Sequence, residues 1–427
     1  MVPDGERGGD GAETSVSIAR LGHLGDGIGT DAAGRTLYVA RALPGETVAG
    51  IARGDRLERG RILAPSDARV RAPCPHYGGC GGCALQHARD GFVADWKQDV
   101  VRRALAAQGL DAPLRPLVTS PPARRRRAGF ALRRGKGGVT VGFHAPMSDS
   151  VTDTPDCRLV LPALLAARPY LQGLGRAGAS RKAALTAQVT ALDNGLDVAV
   201  SGAKPLDPAA AAGLAGEGEA HGVVRLTWNG ETVAQAARPV LRVGGIDVTP
   251  PPGAFLQATE AGEAALRDAV TEALGDAGHV ADLFAGLGTF ALPLARRAQV
   301  HAVEGDAAHC AALAEGWRRA GGLRPLTAET RDLFRRPLDA GELARFDGVV
   351  IDPPRAGAEA QMRALAASRV PRIAAVSCNP VTFARDARAL VAGGYRLAWV
   401  QVVDQFRWSP HVELAALFAR EHPTRKA

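Results

Sequence analysis

The sequence predicts an α/β protein whose largest sheet lies at the C-terminus, behind a small β-barrel and a central α+β region. Three observations carry this. From about residue 251 onward, short apolar runs alternate with helical patterns, the grammar of a parallel sheet covered on both faces. Residues 15–70 alternate apolar and polar positions between Gly and Pro-Gly turns, which reads as a barrel of short strands. The length of 427 residues exceeds what one core usually serves, so two to four domains are expected.

Taken in order, residues 1–14 are acidic and glycine-rich and are expected to be disordered. The barrel follows over 15–70, then a central domain over 71–250 and the C-terminal domain over 251–427. Within the central domain "FVADWKQDVVRRALAAQG" (92–109) has helical periodicity and stops at a glycine. "GGVTVGFHA", "GLDVAVSG" and "HGVVRLTW" read as strands, and residues 205–220 as a helix without an assigned role. In the last domain a helix is expected over 260–278. Strands are expected near 279–284, 299–304, 347–352, 373–377, 396–403 and 412–419. Too few residues separate the last two for a full helix, so an antiparallel edge is expected there.

Lys and Arg number 52 against 44 Asp and Glu, a formal net charge of +8. The excess is concentrated: "ARRRRAGFALRRGKGG" (123–138) holds seven basic residues and no acid, a patch that attracts a polyanion. The N-terminus lacks the apolar core of a signal peptide, and no apolar run reaches a membrane span. A cytoplasmic chain without membrane association is expected.

"VADLFAGLGTFALPLA" (280–295) reads as strand, glycine turn and helix. Gly286 and Gly288 permit close backbone approach to a ligand. Glu304 ends the next strand, where an acid binds a ribose diol. The loop alone also satisfies a loose dinucleotide fingerprint. Asp282 before the glycines, and the modules preceding this sheet, favour S-adenosylmethionine.

Two further strands end in reactive groups. "FDGVVIDPPRAG" (346–357) ends in Asp352, stiffened by two prolines, and "RIAAVSCNP" (372–380) ends near Cys378. Ligands bind at this end of an open α/β sheet, so the two should meet. Glu413 in "WSPHVELAALF" lies near the mouth of the last strands. A thiolate, a general base and a group to hold a planar base suit methylation of uracil C5. Addition of the thiolate to C6 makes C5 nucleophilic, and a base must then remove the C5 proton. A buried, inert thiol is the competing reading of Cys378. Cys310 is expected to be such a thiol, and His411 is left open between structure and site.

"CPHYGGCGGCALQH" places Cys74, Cys80 and Cys83 together, with Cys157 in "TPDCRLV" as a fourth thiol. In a reducing compartment this spacing suits zinc or an iron–sulfur cluster rather than disulfides.

The motifs "GAFLQ", "DLFAGLGTF", "DPPR", "SCNP" and "SPHVE" together resemble the uracil-5 RNA methyltransferase family, across essentially the whole chain. The resemblance implies a Rossmann-like class I methyltransferase domain, with Cys378 as nucleophile, Glu413 as base and Asp352 beside them. It implies S-adenosyl-L-methionine held by Gln257, Phe284, Gly286, Gly288, Thr289, Glu304, Asp332 and Asp352, with Phe255 nearby. Thr289 stands where some members have asparagine. It implies a [4Fe–4S] cluster on Cys74, Cys80, Cys83 and Cys157, with a structural or RNA-orienting role. Residues 15–70 resemble a TRAM domain, an OB-like RNA-binding barrel. Barrel and cluster together imply 23S ribosomal RNA as substrate, at the position known in the family as 1939. A monomer is expected. Transfer RNA or another ribosomal uridine is the alternative substrate. A non-catalytic RNA-binding or assembly factor and a nicotinamide-dependent reductase are the alternatives of other classes.

Overall fold

The computed structural model describes residues 13–420. The expected disorder over 1–14 falls, for residues 1–12, outside the described residues, while Glu13 and Thr14 already belong to the first strand. Five strands close the barrel: Glu13–Leu21, Gly27–Asp31, Thr36–Val39, Thr47–Arg53 and Arg56–Ala64. Strand alternation turns Val16, Ile18, Leu37, Val39, Val48 and Leu57 into one small core. Glu46 is buried at the barrel's end, accepts the Leu43 N–H at 2.8 Å and pairs with Arg69, which fixes the chain as it leaves.

The central sheet has seven strands and is built around Arg127–Gly135, Leu185–Leu192 and Gly195–Ser201. Helices Arg168–Gly178 and Pro208–Ala220 cover one face, and Phe130, Tyr170, Leu174 and Trp228 fill the core.

The C-terminal sheet has eight strands. Its order is Leu326–Thr330, Gln299–Glu304, His279–Leu283, Gly348–Ile351, Arg372–Ser377, Glu413–Ala419, Arg396–Asp404, Leu114–Thr119. All strands run parallel except Glu413–Ala419. The expected strands appear within one or two residues of their places.

Three expectations need correction. Leu326–Thr330 was not among the expected strands. It is a short edge strand in a polar stretch, with little apolar pattern to show it. The antiparallel strand is not at the edge, because Arg396–Asp404 pairs outside it and Leu114–Thr119 covers that edge in turn. Residues 90–119 therefore depart from the expected central domain. Helix Asp90–Ala106 packs on helix Pro380–Ala392, and the strand after it extends the C-terminal sheet. Pro116 suits that edge position, where no further ladder partner needs its missing N–H. Among the described residues no helix is long and apolar enough to cross a membrane.

Candidate active site

Strand geometry brings the reactive groups together. Gly348–Ile351 and Arg372–Ser377 are parallel neighbours, so Asp352 and Cys378 leave the sheet side by side. Glu413–Ala419 runs the other way, with Leu414 opposite Ser377, so its first residue lies at the same edge. A cavity of about 560 Å³ opens there. Asp352, Cys378 and Glu413 line it together with Gln257, Phe284, Gly286, Thr289 and Glu304.

The glycine loop forms the cavity's other wall. Phe284 adopts a left-handed φ of 63° and turns the chain out of strand His279–Leu283. Gly286 has a φ of 55°, and a Cβ there would point into open space. Gly288 has a φ of 87°, and its Cβ would lie 2.8 Å from Leu292 Cγ. The first glycine leaves room for a ligand; the second lets the loop sit on the helix behind it. Glu304 holds the loop: its carboxylate accepts the Gly286 N–H and the Asp306 N–H, both at 2.9 Å.

Two of the expected cofactor residues are not in the lining. Gly288 serves packing. Asp332 is directed elsewhere, accepting the Phe334 N–H at 2.9 Å. The turn it caps brings Phe334 to 5.4 Å from the Phe284 ring.

A buried amide network sets the polar groups. Gln405 accepts the backbone N–H of Ala258 at 2.7 Å, which fixes its amide orientation. Its Nε2 then donates to Gln257 Oε1 at 2.5 Å and to Glu413 Oε2 at 3.0 Å. Gln257 accepts through its oxygen, so its NH2 group is left as the donor for the cavity. Below, Lys97 is fully buried and donates to Asp404 at 2.6 Å and to the Phe406 carbonyl at 3.2 Å. Arg126 is buried too, donating to the Gln257 carbonyl at 2.9 Å and pairing with Glu263.

The electrostatics are those of a buried, acidic pocket. Burial raises the carboxyl group of Asp352, and burial followed by the charge of Asp352 raises that of Glu413. Asp282, buried beneath them, is raised by burial, with Asp352 and Glu304 adding to it. Burial pushes the Cys378 thiol up to about 11, with Glu413 and Asp352 adding to it and Arg355 opposing. The resting thiol is therefore protonated at neutral pH.

Sequence reasoning missed Gln405, Phe406, Asp306 and His309, the last three in the cavity wall. Asp306 had a legible signal, as it caps helix Ala307–Ala320 through the Ala308 N–H at 2.7 Å. Gln405 and Phe406 had none. Their role follows from a loop between antiparallel strands. His411, left open by the sequence, lines the cavity and meets Arg355 at 3.1 Å. Cys310 is buried in its helix, as expected of an inert thiol.

The four clustered cysteines are free thiols around a second cavity of about 550 Å³. Burial pushes Cys83 up to about 12 and raises Cys80, with the neighbouring thiols adding to both. The Gly82 N–H donates to Cys80 Sγ at 3.3 Å. The donor chemistry suits a soft metal, and the four expected cysteines line this one cavity. Among the described residues no group of three or more Cys, His, Asp or Glu is placed to hold a metal ion. Phe406 and His411 line both cavities, and the Trp408 carbonyl accepts the N–H groups of Ala84 and Leu85 at 2.8 and 3.0 Å. The cysteine loop is thus seated on the loop that leads to Glu413.

An open α/β sheet with a glycine loop, a ribose-type acid and a thiol between carboxylates defines an S-adenosylmethionine-dependent methyltransferase of the class I type. Residues 327–421 match the family described as tRNA (Uracil-5-)-methyltransferase. An RNA methyltransferase of Mesorhizobium japonicum is 43% identical over 410 residues, covering 96% of this chain and 98% of the relative. The 23S rRNA (uracil(1939)-C(5))-methyltransferase of Halomonas elongata is 34% identical over 441 residues, covering 95% and 89%. The crystal structure of the Pyrococcus abyssi tRNA (uracil-54, C5)-methyltransferase with S-adenosyl-L-homocysteine superposes with a TM-score of 0.74. It shares 20% identity, covers 95% of this chain and 99% of that one, and shows the same fold. The chain belongs to the S-adenosylmethionine-dependent RNA (uracil-C5) methyltransferase family.

Proposed function

We propose that the protein methylates C5 of a uridine in a folded RNA through a covalent bond between Cys378 and C6 of the base. The observation that carries this reading is the meeting of Cys378, Glu413 and Asp352 on one cavity with the glycine loop. Bound S-adenosylmethionine supplies an electrophilic sulfonium methyl group. As Cys378 forms the S–C6 bond its proton passes to solvent, and C5 is left electron-rich as an enolate. C5 takes the methyl group and still carries its hydrogen. Glu413 accepts that proton, the C5–C6 double bond re-forms, and the S–C6 bond breaks to return the thiolate. Gln257 presents an NH2 donor and Asp352 an acceptor to the edge of the base. The uridine leaves its stack to reach the thiol, as base-modifying enzymes require.

We read the RNA class more broadly than the 23S position expected from the sequence. A tRNA uridine or another ribosomal uridine is the preferred target. The match of residues 327–421 to the tRNA (Uracil-5-)-methyltransferase family supports this, while the Halomonas relative is a 23S rRNA enzyme. For the cysteine cavity we keep the [4Fe–4S] cluster as the proposed occupant, supported by four thiols around one space. Cys74, Cys80, Cys83 and Cys157 would hold it, and no step of methyl transfer uses it.

The deciding experiment incubates the enzyme with labelled S-adenosylmethionine and unmodified tRNA and ribosomal transcripts, then maps the methylated base. Product at uridine C5, lost in Cys378→Ala, is expected. Donor binding without product would favour a non-catalytic RNA-binding factor. Anaerobically purified protein should be brown, with iron and sulfide; a colourless, iron-free protein rules out the cluster.

A further inference from the structure

The hairpin of Leu241–Val243 and Ile246–Val248 alternates strictly. Leu241, Val243, Ile246 and Val248 are buried in the C-terminal core, which leaves Arg242 and Asp247 on the outer side. Helix Ala307–Ala320 comes close to this hairpin at Gly316, where a Cβ would lie 3.0 Å from Val248 Cγ2. Arg319 stands in the last turn of that helix. The turn of the hairpin packs on Pro293, and its Gly244 carbonyl accepts from Arg296 Nη2 at 3.1 Å. Arg238, just before the hairpin, donates to Thr249 Oγ1 at 2.9 Å, just after it. Guanidinium groups from three separate segments thus line one open cavity of about 530 Å³, and all four arginines are exposed.

The charges there do not cancel. Arg242 pairs with Asp247 at 3.3 Å and Arg319 with Glu315 at 2.5 Å. Among the described residues Arg238 and Arg296 donate only to the neutral oxygens just named. Four cations therefore face two carboxylates. The C-terminal end of helix Ala307–Ala320 adds about half a negative charge, too little to offset the excess. Each guanidinium keeps N–H donors in solvent, and their planar fork matches phosphate oxygens in pairs.

The cavity lies far from the chemistry. Arg296 and Leu323 shortly precede strands Gln299–Glu304 and Leu326–Thr330, so they mark the N-terminal edge of the sheet. The catalytic cavity opens at the other edge, and a strand of 6 residues spans roughly 20 Å. We propose that Arg238, Arg242, Arg296 and Arg319 form a second RNA-docking surface, which takes the phosphate backbone of a part of the folded substrate remote from the target uridine. The surface requires an RNA substrate but none of the reaction steps proposed above. It reads backbone rather than sequence, so it adds affinity for a folded RNA without selecting the base.

The test measures binding of fluorescein-labelled, unmodified tRNA and ribosomal transcripts by anisotropy across a salt series. Each phosphate contact contributes about 0.7–0.9 to the slope of log K against log salt. Arg238→Gln/Arg296→Gln removes the two charges that no carboxylate balances. It should lower the slope by about 1.4–1.8 on at least one transcript. The corresponding Lys pair should keep the slope, because it keeps both charges. Arg363→Gln/Arg388→Gln, on exposed positions of the helices that cover the opposite face of the sheet, should also keep it. An unchanged slope on both transcripts in the first variant overturns the docking surface. If labelled polyglutamate alone then loses affinity, the cavity takes an acidic protein instead. An equal fall in the Lys pair marks a packing role, and an equal fall in the opposite-face pair marks general surface charge; either overturns the proposal. Thermal melting of each variant checks the fold. Because the readout is binding, normal methylation with an unchanged slope sinks the surface alone. A lowered slope without methylation of any transcript sinks the proposed reaction instead.

Discussion

The Gln405 side-chain amide donates to Glu413 Oε2 across 3.0 Å, and a backbone N–H from Ala258 holds that amide in the donating orientation. Glu413 is otherwise a buried acid beside another acid, raised by burial and by Asp352. The amide is the group that favours its ionised form and aims its free oxygen.

Gln405→Leu removes this donor and leaves the carboxylate without a partner. Proton removal from C5 should slow while attack by Cys378 continues. We expect kcat to fall by roughly 10–100-fold, less than the roughly 10²–10⁴-fold that a complete general base contributes. A protein–RNA species resistant to denaturing gels should accumulate. A slower enzyme showing no such species would point to simple misfolding of the site.

Glu413→Gln should trap the same adduct more completely. It should also change stability with pH in a definite direction. The folded acid is raised above its ordinary value of 4.5, so its contribution to stability is full below that value and is lost as pH rises through about 8. The amide has no charge to bury. The variant should match the wild type near pH 4 and melt about 2–4 °C higher at pH 9. Equal melting curves at both pH values contradict the buried-acid description.

Cys378 is pushed up to about 11 by burial and by two acids. The thiolate is the form that reacts, so alkylation of the free enzyme by iodoacetamide should be slow at neutral pH. It should quicken about tenfold per pH unit up to pH 10. Rapid, pH-independent labelling of Cys378, read by mass spectrometry, would falsify the protonated resting state.

Lys97 and Asp404 form an ion pair at 2.6 Å in which both side chains are buried. Lys97→Met leaves Asp404 charged and unpaired, at a cost of about 3–5 kcal/mol. The double variant Lys97→Met/Asp404→Leu should recover most of that stability, yet not full activity. The Lys97 contact to the Phe406 carbonyl, next to Gln405, would still be gone. Chemical denaturation of Lys97→Met, Asp404→Leu and the double variant checks the cycle; full activity in the double variant would remove Lys97 from any positioning role.

How much of this was legible varied with the kind of signal. Buried parallel strands announce themselves as apolar runs, which is why Gly348–Ile351 and Arg372–Ser377 lay close to their expected places. Leu114–Thr119 did not, because an edge strand with a proline carries little pattern and its partner lies nearly three hundred residues away. Gly288 and Asp332 also do local work that the motif does not announce: the glycine sits against Leu292 and the acid caps a turn.

The sequence alone determined which groups carry the chemistry, since a thiol, a base and a glycine loop depend on residue type and on their place at strand ends. Tertiary structure decided what those groups are in practice. Burial sets the protonation of Asp352 and Glu413, with Asp352 adding to the rise of Glu413, and Gln405 acquires a role only because an antiparallel strand brings its loop beside Gln257. Field and desolvation depend on distances through space, and those exist only once the chain has closed.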